Sequence, residues 1–274
     1  MRQLILSAGM GFSLPIPEQI EAMARIGWDG FFTGWNEENG IAAYAAKAKE
    51  VGAFYQSVHA PYHDVYRLWE EGEDGEKEAD KQIACLRDCE QNGVSTVVMH
   101  AIIGFDRHTP ADIGIDRFGR IFDEAERLGI RVALENTEGE CYLEKLMLHF
   151  ASHKAVGFCI DTGHELCYNI GRDLITSYGK KLIATHINDN LGCTGEAITW
   201  LDDAHLMPFD GKKDWADVAK RMKAVGYNGP LTFELTSLNK PDRHTHDRYA
   251  SLDFNGFASL ALEKARRFRN LLEA

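Results

Sequence analysis

No C-x-x-C pair occurs among the six cysteines (Cys85, Cys89, Cys141, Cys159, Cys167, Cys193). That excludes a zinc ribbon and, in a chain long enough to own a core, points to reduced thiols instead of a disulfide framework. No apolar run approaches the roughly 20 residues needed to span a bilayer. The start, MRQLILSAGM, breaks at Gly9 before a signal-peptide core forms, so a cytoplasmic chain with no membrane partner is expected. Positive charge is scarce: 30 Lys and Arg stand against 42 Asp and Glu, a formal net charge of −12, with no run of five or six basic residues. Such a surface repels polyanions, which disfavours nucleic acid as a partner. The clearest charge run is acidic, WEEGEDGEKEAD (69–80), and reads as a solvated loop leading into a helix. Internal repeats, low-complexity tracts and domain linkers are also missing.

What is present is an alternation. Eight short β-rich runs recur: LILSA (4–8), GFFTGW (30–35), AFYQSVH (53–59), TVVMHA (96–101), RVALEN (131–136), VGFCID (156–161), LIATHI (182–187) and PLTFEL (230–235). Between them lie stretches with apolar residues at three-to-four spacing, among them PEQIEAMARIG, IAAYAAKAKEVG, KQIACLRDCEQNG, DRFGRIFDEAERLG and WADVAKRMKAVG. Each of these ends in glycine, the residue favoured just past a helix C-terminus. Repeated βα units give a parallel sheet, and eight of them close a barrel of about 250 residues. The expected architecture is therefore α/β, a single (β/α)8 TIM barrel over residues 1–274. Links from helix to strand are terse, whereas segments following strands are long at 60–74, 102–111, 188–214 and 236–252. That asymmetry places the functional rim at the C-terminal ends of the strands.

Metal-binding side chains gather at that rim. His59, His100, Glu135, Asp161, His186 and Glu234 each close an apolar run. Glu135, Asp161, His186 and Glu234 end four consecutive strands and offer three carboxylates and one imidazole, a set suited to Zn, Mn, Mg or Co. One strand-end carboxylate alone is more often a hydrogen-bonded structural residue. Several buried side by side repel one another unless a cation neutralises them. His59 and His100 extend the set to a second ion or orient substrate hydroxyls. His164, three residues after Asp161, and Asp203 and His205 of DDAH offer a third cluster. The plainer reading there is a loop-capping Asp203 and a His205 that meets solvent or substrate. Trp35, Trp200 and Phe209 are candidates for an apolar wall against a sugar ring, while Trp28, Trp69 and Trp215 suit packing. Arg107, Arg172, Lys212, Lys213 and Arg243 lie in or near rim loops. Gly9-x-Gly11 lacks the third glycine of a dinucleotide fingerprint. The Asp161-Thr162-Gly163 triplet occurs once, where an aspartic protease needs two.

In chain order, HAPY, the strand-end His100, LEN, CIDTGH, THIND, a D-x-H segment and TFEL resemble the xylose-isomerase-like barrel superfamily over nearly the whole chain. That group includes sugar-phosphate isomerases and epimerases, hydroxypyruvate isomerase, ketose 3-epimerases, inosose dehydratase and zinc-dependent apurinic endonucleases. For the epimerase branch the resemblance implies one divalent ion on Glu135, Asp161, His186 and Glu234, with both glutamates moving protons and His164 touching substrate. For the endonuclease branch it implies three zinc ions on His59, His100, Glu135, Asp161, His164, His186, Asp203, His205 and Glu234. Against that branch stand the acidic charge and a short TGWNEENG loop carrying two glutamates, because phosphate contacts dominate DNA affinity. The chain also departs from ketose 3-epimerases, whose arginine soon after the seventh-strand histidine is missing from HINDNLGCTGE.

The reading that follows is a metal-dependent isomerase or epimerase of a sugar or sugar phosphate, working by enediolate proton transfer on a small hydroxy-ketone. Glu135 and Glu234 are the expected catalytic pair, and His59, His100, His164 and Trp35 the expected substrate contacts. One divalent ion is expected, with His59, His100, His164, Asp203 and His205 as ligands should there be more. The alternatives are a trinuclear zinc phosphodiesterase and a metal-dependent polyol dehydratase. The expected partner is a small carbohydrate, and a homodimer is the family-based expectation.

Overall fold

A computed structural model describes residues 1–106 and 109–274, so Arg107 lies outside the described residues. All eight β-rich runs form strands: β1 (Leu4–Ser7), β2 (Gly30–Gly34), β3 (Phe54–His59), β4 (Thr96–His100), β5 (Arg131–Glu135), β6 (Val156–Asp161), β7 (Leu182–His186) and β8 (Leu231–Phe233). Every pairing is parallel, in the order β7-β6-β5-β4-β3-β2-β1-β8. A lone parallel bridge between Ile187 and Phe233 draws the two end strands together, with the Ile187 N–H donating to Thr232 O at 2.7 Å. The expected (β/α)8 barrel is the fold observed.

Nine α-helices occur among the described residues: α1 (Ile16–Ile26), α2 (Ala42–Val51), α3 (Glu73–Gln91), α4 (Asp112–Leu128), α5 (Glu140–His149), α6 (Thr162–Cys167), α7 (Leu174–Tyr178), α8 (Trp215–Ala224) and α9 (Phe254–Glu273). Gly27, Gly52 and Gly129 end α1, α2 and α4 with φ of +106°, +69° and +71°, a left-handed turn that a Cβ would strain. The acidic run departs from expectation. It is helical from Glu73, because Glu73, Asp74 and Glu76 in the first turn face unpaired N–H groups and the positive end of the helix dipole. The buried Arg117 of α4 pins the preceding turn by donating to the carbonyls of Arg67, Leu68, Glu70 and Gly72 and to the Glu76 carboxylate.

Trp28, Trp69 and Trp215 are buried as packing residues, and no disulfide joins the six cysteines among the described residues. No helix among the described residues is long and apolar enough to cross a membrane. Strand alternation decides what faces the lumen. Val98, Ala133, Cys159 and Ala184 form a small buried cluster apart from the main core. His100, Glu135, Asp161 and His186 stand two residues further along the same four strands, so they share that inward face one layer nearer the rim.

Candidate metal centre

At the floor of the rim, His186 Nδ1 lies 2.8 Å from Glu135 Oε1 and 3.1 Å from Glu234 Oε2. Two carboxylates thus aim at one nitrogen. A single proton there satisfies one of them at a time, whereas a dication among the three satisfies all. Glu135, Asp161, His186 and Glu234 each bring one ligand atom within 4.8 Å of the others. The donor chemistry and this convergence fit a divalent ion. The Glu135 side chain is 1% exposed and that of Glu234 24%, so the cluster opens on the Glu234 side.

Neighbouring amides hold Asp161 in place. Its Oδ1 accepts the His164 backbone N–H at 2.7 Å and its Oδ2 accepts from Asn188 Nδ2 at 2.7 Å. Asn136, beside Glu135, accepts the Asp161 N–H at 2.7 Å and donates to Asp161 O and Asn169 Oδ1, each at 2.9 Å. Sequence reasoning assigns no role to Asn136 or Asn188. The available signal is an amide one or two residues after a ligand-type residue, in LEN and THIND.

Three histidines share a telling orientation. The Nδ1 of His59 faces Ala60 O at 2.7 Å, that of His164 faces Asn136 O at 2.9 Å, and that of His205 faces Glu234 O at 3.2 Å. A carbonyl only accepts, so each Nδ1 carries a proton and each ring turns its Nε2 inward. Those Nε2 atoms meet the acids: His59 at 3.3 Å from Glu135 Oε2, His164 at 3.4 Å from Asp203 Oδ1, and His205 at 2.8 Å from Asp203 Oδ2. An outer nitrogen tied to a carbonyl with the inner one turned to acids is how proteins orient metal-binding imidazoles. His59, His100 and Glu135 form one further ligand-type group, and His164, Asp203 and His205 another. His205 holds φ at +49°, a strained value that the surrounding contacts must maintain. All nine ligand-type residues named from the sequence thus fall in three groups that adjoin one another.

Burial opposes charge on each of these carboxyls, and the contacts decide the outcome. Burial pushes Glu135 up, but the His186 charge and hydrogen bonds from His100, His186 and His59 hold it well below the usual range. Glu234, also pushed up by burial, is drawn down to about 2, chiefly by His186. Asp161 goes the other way, to about 6, because burial and the charges of Glu135 and Glu234 outweigh His164 and His205. His205 rises to about 9 against its burial, through Asp203.

The aromatic expectations resolve unequally. Trp35 donates its indole N–H to Asp88 on α3 at 2.8 Å, leaving only its ring face for a ligand. The Phe209 ring is occupied by Trp215 at 5.6 Å and by the Arg267 guanidinium at 3.8 Å. Two tyrosines without a role in the sequence reading stand against the histidines: Tyr62 stacks on His100 with centroids 4.9 Å apart, and Tyr168 on His164 at 4.8 Å. Arg172 pairs with Glu140 at 2.7 Å, and Lys213 is buried against Glu165.

The model of the family described as xylose isomerase-like TIM barrel matches residues 20–252. A 155-residue stretch is 32% identical to the uncharacterized protein y4fM of Sinorhizobium fredii, covering 52% of this chain and 47% of that protein. The 3-dehydroshikimate dehydratase of Pseudomonas putida is 22% identical over 248 residues, 83% of this chain and 37% of that one. The chain therefore spans less than half the length of these two curated relatives. Among solved structures, 3-keto-D-glucoside 4-epimerase from E. coli has a TM-score of 0.72 at 18% identity, covering 97% of this chain and 100% of that one. D-psicose 3-epimerase from Clostridium cellulolyticum H10 has a TM-score of 0.74 at 16% identity, covering 100% of both chains. With eight parallel strands, interleaved helices and a family match over most of its length, the chain belongs to the xylose isomerase-like TIM barrel family.

Proposed function

We propose that residues 1–274 act as one barrel domain that isomerises or epimerises a small hydroxy-ketone, a sugar or sugar phosphate, with one divalent ion (Zn, Mn, Mg or Co) held by Glu135, Asp161, His186 and Glu234. The observation that carries this reading is the aim of Glu135 and Glu234 at the same His186 nitrogen, with Asp161 in reach. When bound, the ion supplies Lewis-acid chemistry, drawing electron density from a substrate carbonyl so that the neighbouring C–H becomes acidic. The chain's own side chains do the rest. Glu135 and Glu234 move the proton off and onto that carbon, Glu234 from the open side. His59, His100 and His164 orient substrate hydroxyls, and the Tyr62 and Tyr168 rings flank the approach. Asn136 and Asn188 hold Asp161. The sugar epimerases among the structural neighbours support the reading.

Two other readings have an observation behind them. The dehydratase relative favours a lyase that starts from the same proton abstraction and then expels a hydroxyl. The two further ligand-type groups favour a trinuclear zinc phosphodiesterase, against which the net charge of −12 weighs. The test is solvent-deuterium exchange into a panel of ketoses and ketose phosphates. The wild type is expected to exchange, and Glu135→Gln and Glu234→Gln are not; unimpaired exchange in both variants removes the mechanism. Loss of water from the product mass selects the lyase, and three bound zinc ions with cleavage of abasic DNA select the phosphodiesterase.

A further inference from the structure

We propose that the mouth of the site carries an anion subsite built by Lys240, where the loops after β7 and β8 meet, and that the substrate bears an oxyanion, a carboxylate or a phosphate, besides its reacting hydroxy-ketone. This rests on the metal-dependent reading above and names the substrate class for it.

Glu135, Asp161, Asp203 and Glu234 crowd the site in a chain of net charge −12, a field that turns an anionic substrate away unless a cation answers it locally. Among the described residues, Lys240 is the only lysine or arginine within ion-pair reach of those four carboxylates. Its Nζ lies 3.8 Å from Asp203 Oδ2, looser than a direct hydrogen bond, with the side chain 23% exposed. The same ammonium stands 5.2 Å from the ring centroid of Trp200, a cation–π contact that keeps it at the mouth. Trp200 comes from the loop after β7 and is 52% exposed, while Leu238, two residues before Lys240, is 57% exposed and lies over Gly11 of the loop after β1.

A loosely paired ammonium, an open indole and an open leucine on adjoining loops offer a place for the far end of a small polar molecule. The loops after strands seven and eight are where barrels of this architecture frequently bind phosphate groups. Of the other rim cations named from the sequence, Arg172 is committed to Glu140 and Lys213 to Glu165, and neither Lys212 nor Arg243 comes within ion-pair reach of the four carboxylates. A ligand oxyanion reaching Lys240 gains a charge-assisted hydrogen bond and loosens only a long ion pair.

The experiment is calorimetric titration of the Mn²⁺-loaded protein with two matched pairs, fructose against fructose 6-phosphate and inositol against quinate. At least one anionic probe is expected to bind about tenfold more tightly than its neutral partner. That gain should vanish in Lys240→Met and persist in Lys240→Arg, with Mn²⁺ uptake and the unfolding midpoint alike in all three proteins. The pair showing the dependence identifies phosphate or carboxylate as the source. If neither pair shows a gain that depends on Lys240, the subsite is overturned. A wild type that takes up no Mn²⁺ defeats the metal reading instead, and the anion contrast is then still read on the ion-free protein.

Discussion

Replacing Asn136 by alanine asks whether buried amides hold the candidate metal centre in shape. Asn136 is fully buried, and its side chain serves three partners: the Asp161 N–H at 2.7 Å, and Asp161 O and Asn169 Oδ1 at 2.9 Å each. Alanine leaves those three polar groups buried without their partner, at about 1–3 kcal/mol apiece. A water entering the space recovers part of this, so a loss of roughly 3–6 kcal/mol is expected. That is a large share of the roughly 5–15 kcal/mol by which a domain is stable. Denaturant unfolding measures the loss, and Mn²⁺ calorimetry asks whether affinity falls with it, since the Asp161 backbone is what the amide positions. Asn136→Asp adds a second arm. The new carboxylate would face two oxygens in a buried site, so its pKa rises above the unfolded value. A raised acid contributes stability at low pH that is lost as pH rises through the folded pKa, so this variant should be weakest near neutrality and recover on acidification. A loss under about 1 kcal/mol for the alanine variant, or an aspartate variant whose deficit ignores pH, would refute the reasoning.

Two further outcomes are expected. Glu165 of α6 takes Arg221 through both terminal guanidinium nitrogens at 2.7 and 3.0 Å and also meets Lys213, all three largely buried, so Glu165→Gln should cost about 3 kcal/mol in denaturant unfolding by leaving Lys213 against a neutral amide and Arg221 with only Asp173 and Asp217. Stability within experimental error of the wild type would contradict this. Burial pushes the His246 imidazole down to about 4, so between the unfolded value near 6.5 and pH 4 the unfolded chain binds a proton that the native state does not. Stability should therefore fall as pH drops through that window, and His246→Asn should flatten the fall; an unchanged slope in thermal unfolding would count against it.

The strands are legible in the sequence because an apolar run of five or six residues with a two-residue period is a local signal. Seven of the eight observed strands end within one residue of the expected boundary, and β8 stops at Phe233, two residues short, leaving Glu234 just past it. The start of α3 is not legible in the same way. A run such as EEGEDGEKEAD reads as solvated loop by composition, and its carboxylates favour helix only because they fall at a helix N-terminus. Nor does spelling reveal which way an aromatic turns: Trp35 and Phe209 are committed to Asp88 and Arg267, partners 53 and 58 positions away in the chain.

By itself the sequence determined the closed parallel barrel and the ligand-type residues on its carboxyl rim, since strand period and strand-end position depend on near neighbours along the chain. Only the tertiary structure decided the rest: that Glu135 and Glu234 share one His186 nitrogen, that Asn136 and Asn188 steer Asp161, and that Lys240 reaches Asp203 from the last loop. Those contacts join segments tens of residues apart, and their distances follow from barrel closure and side-chain direction, which no local pattern encodes.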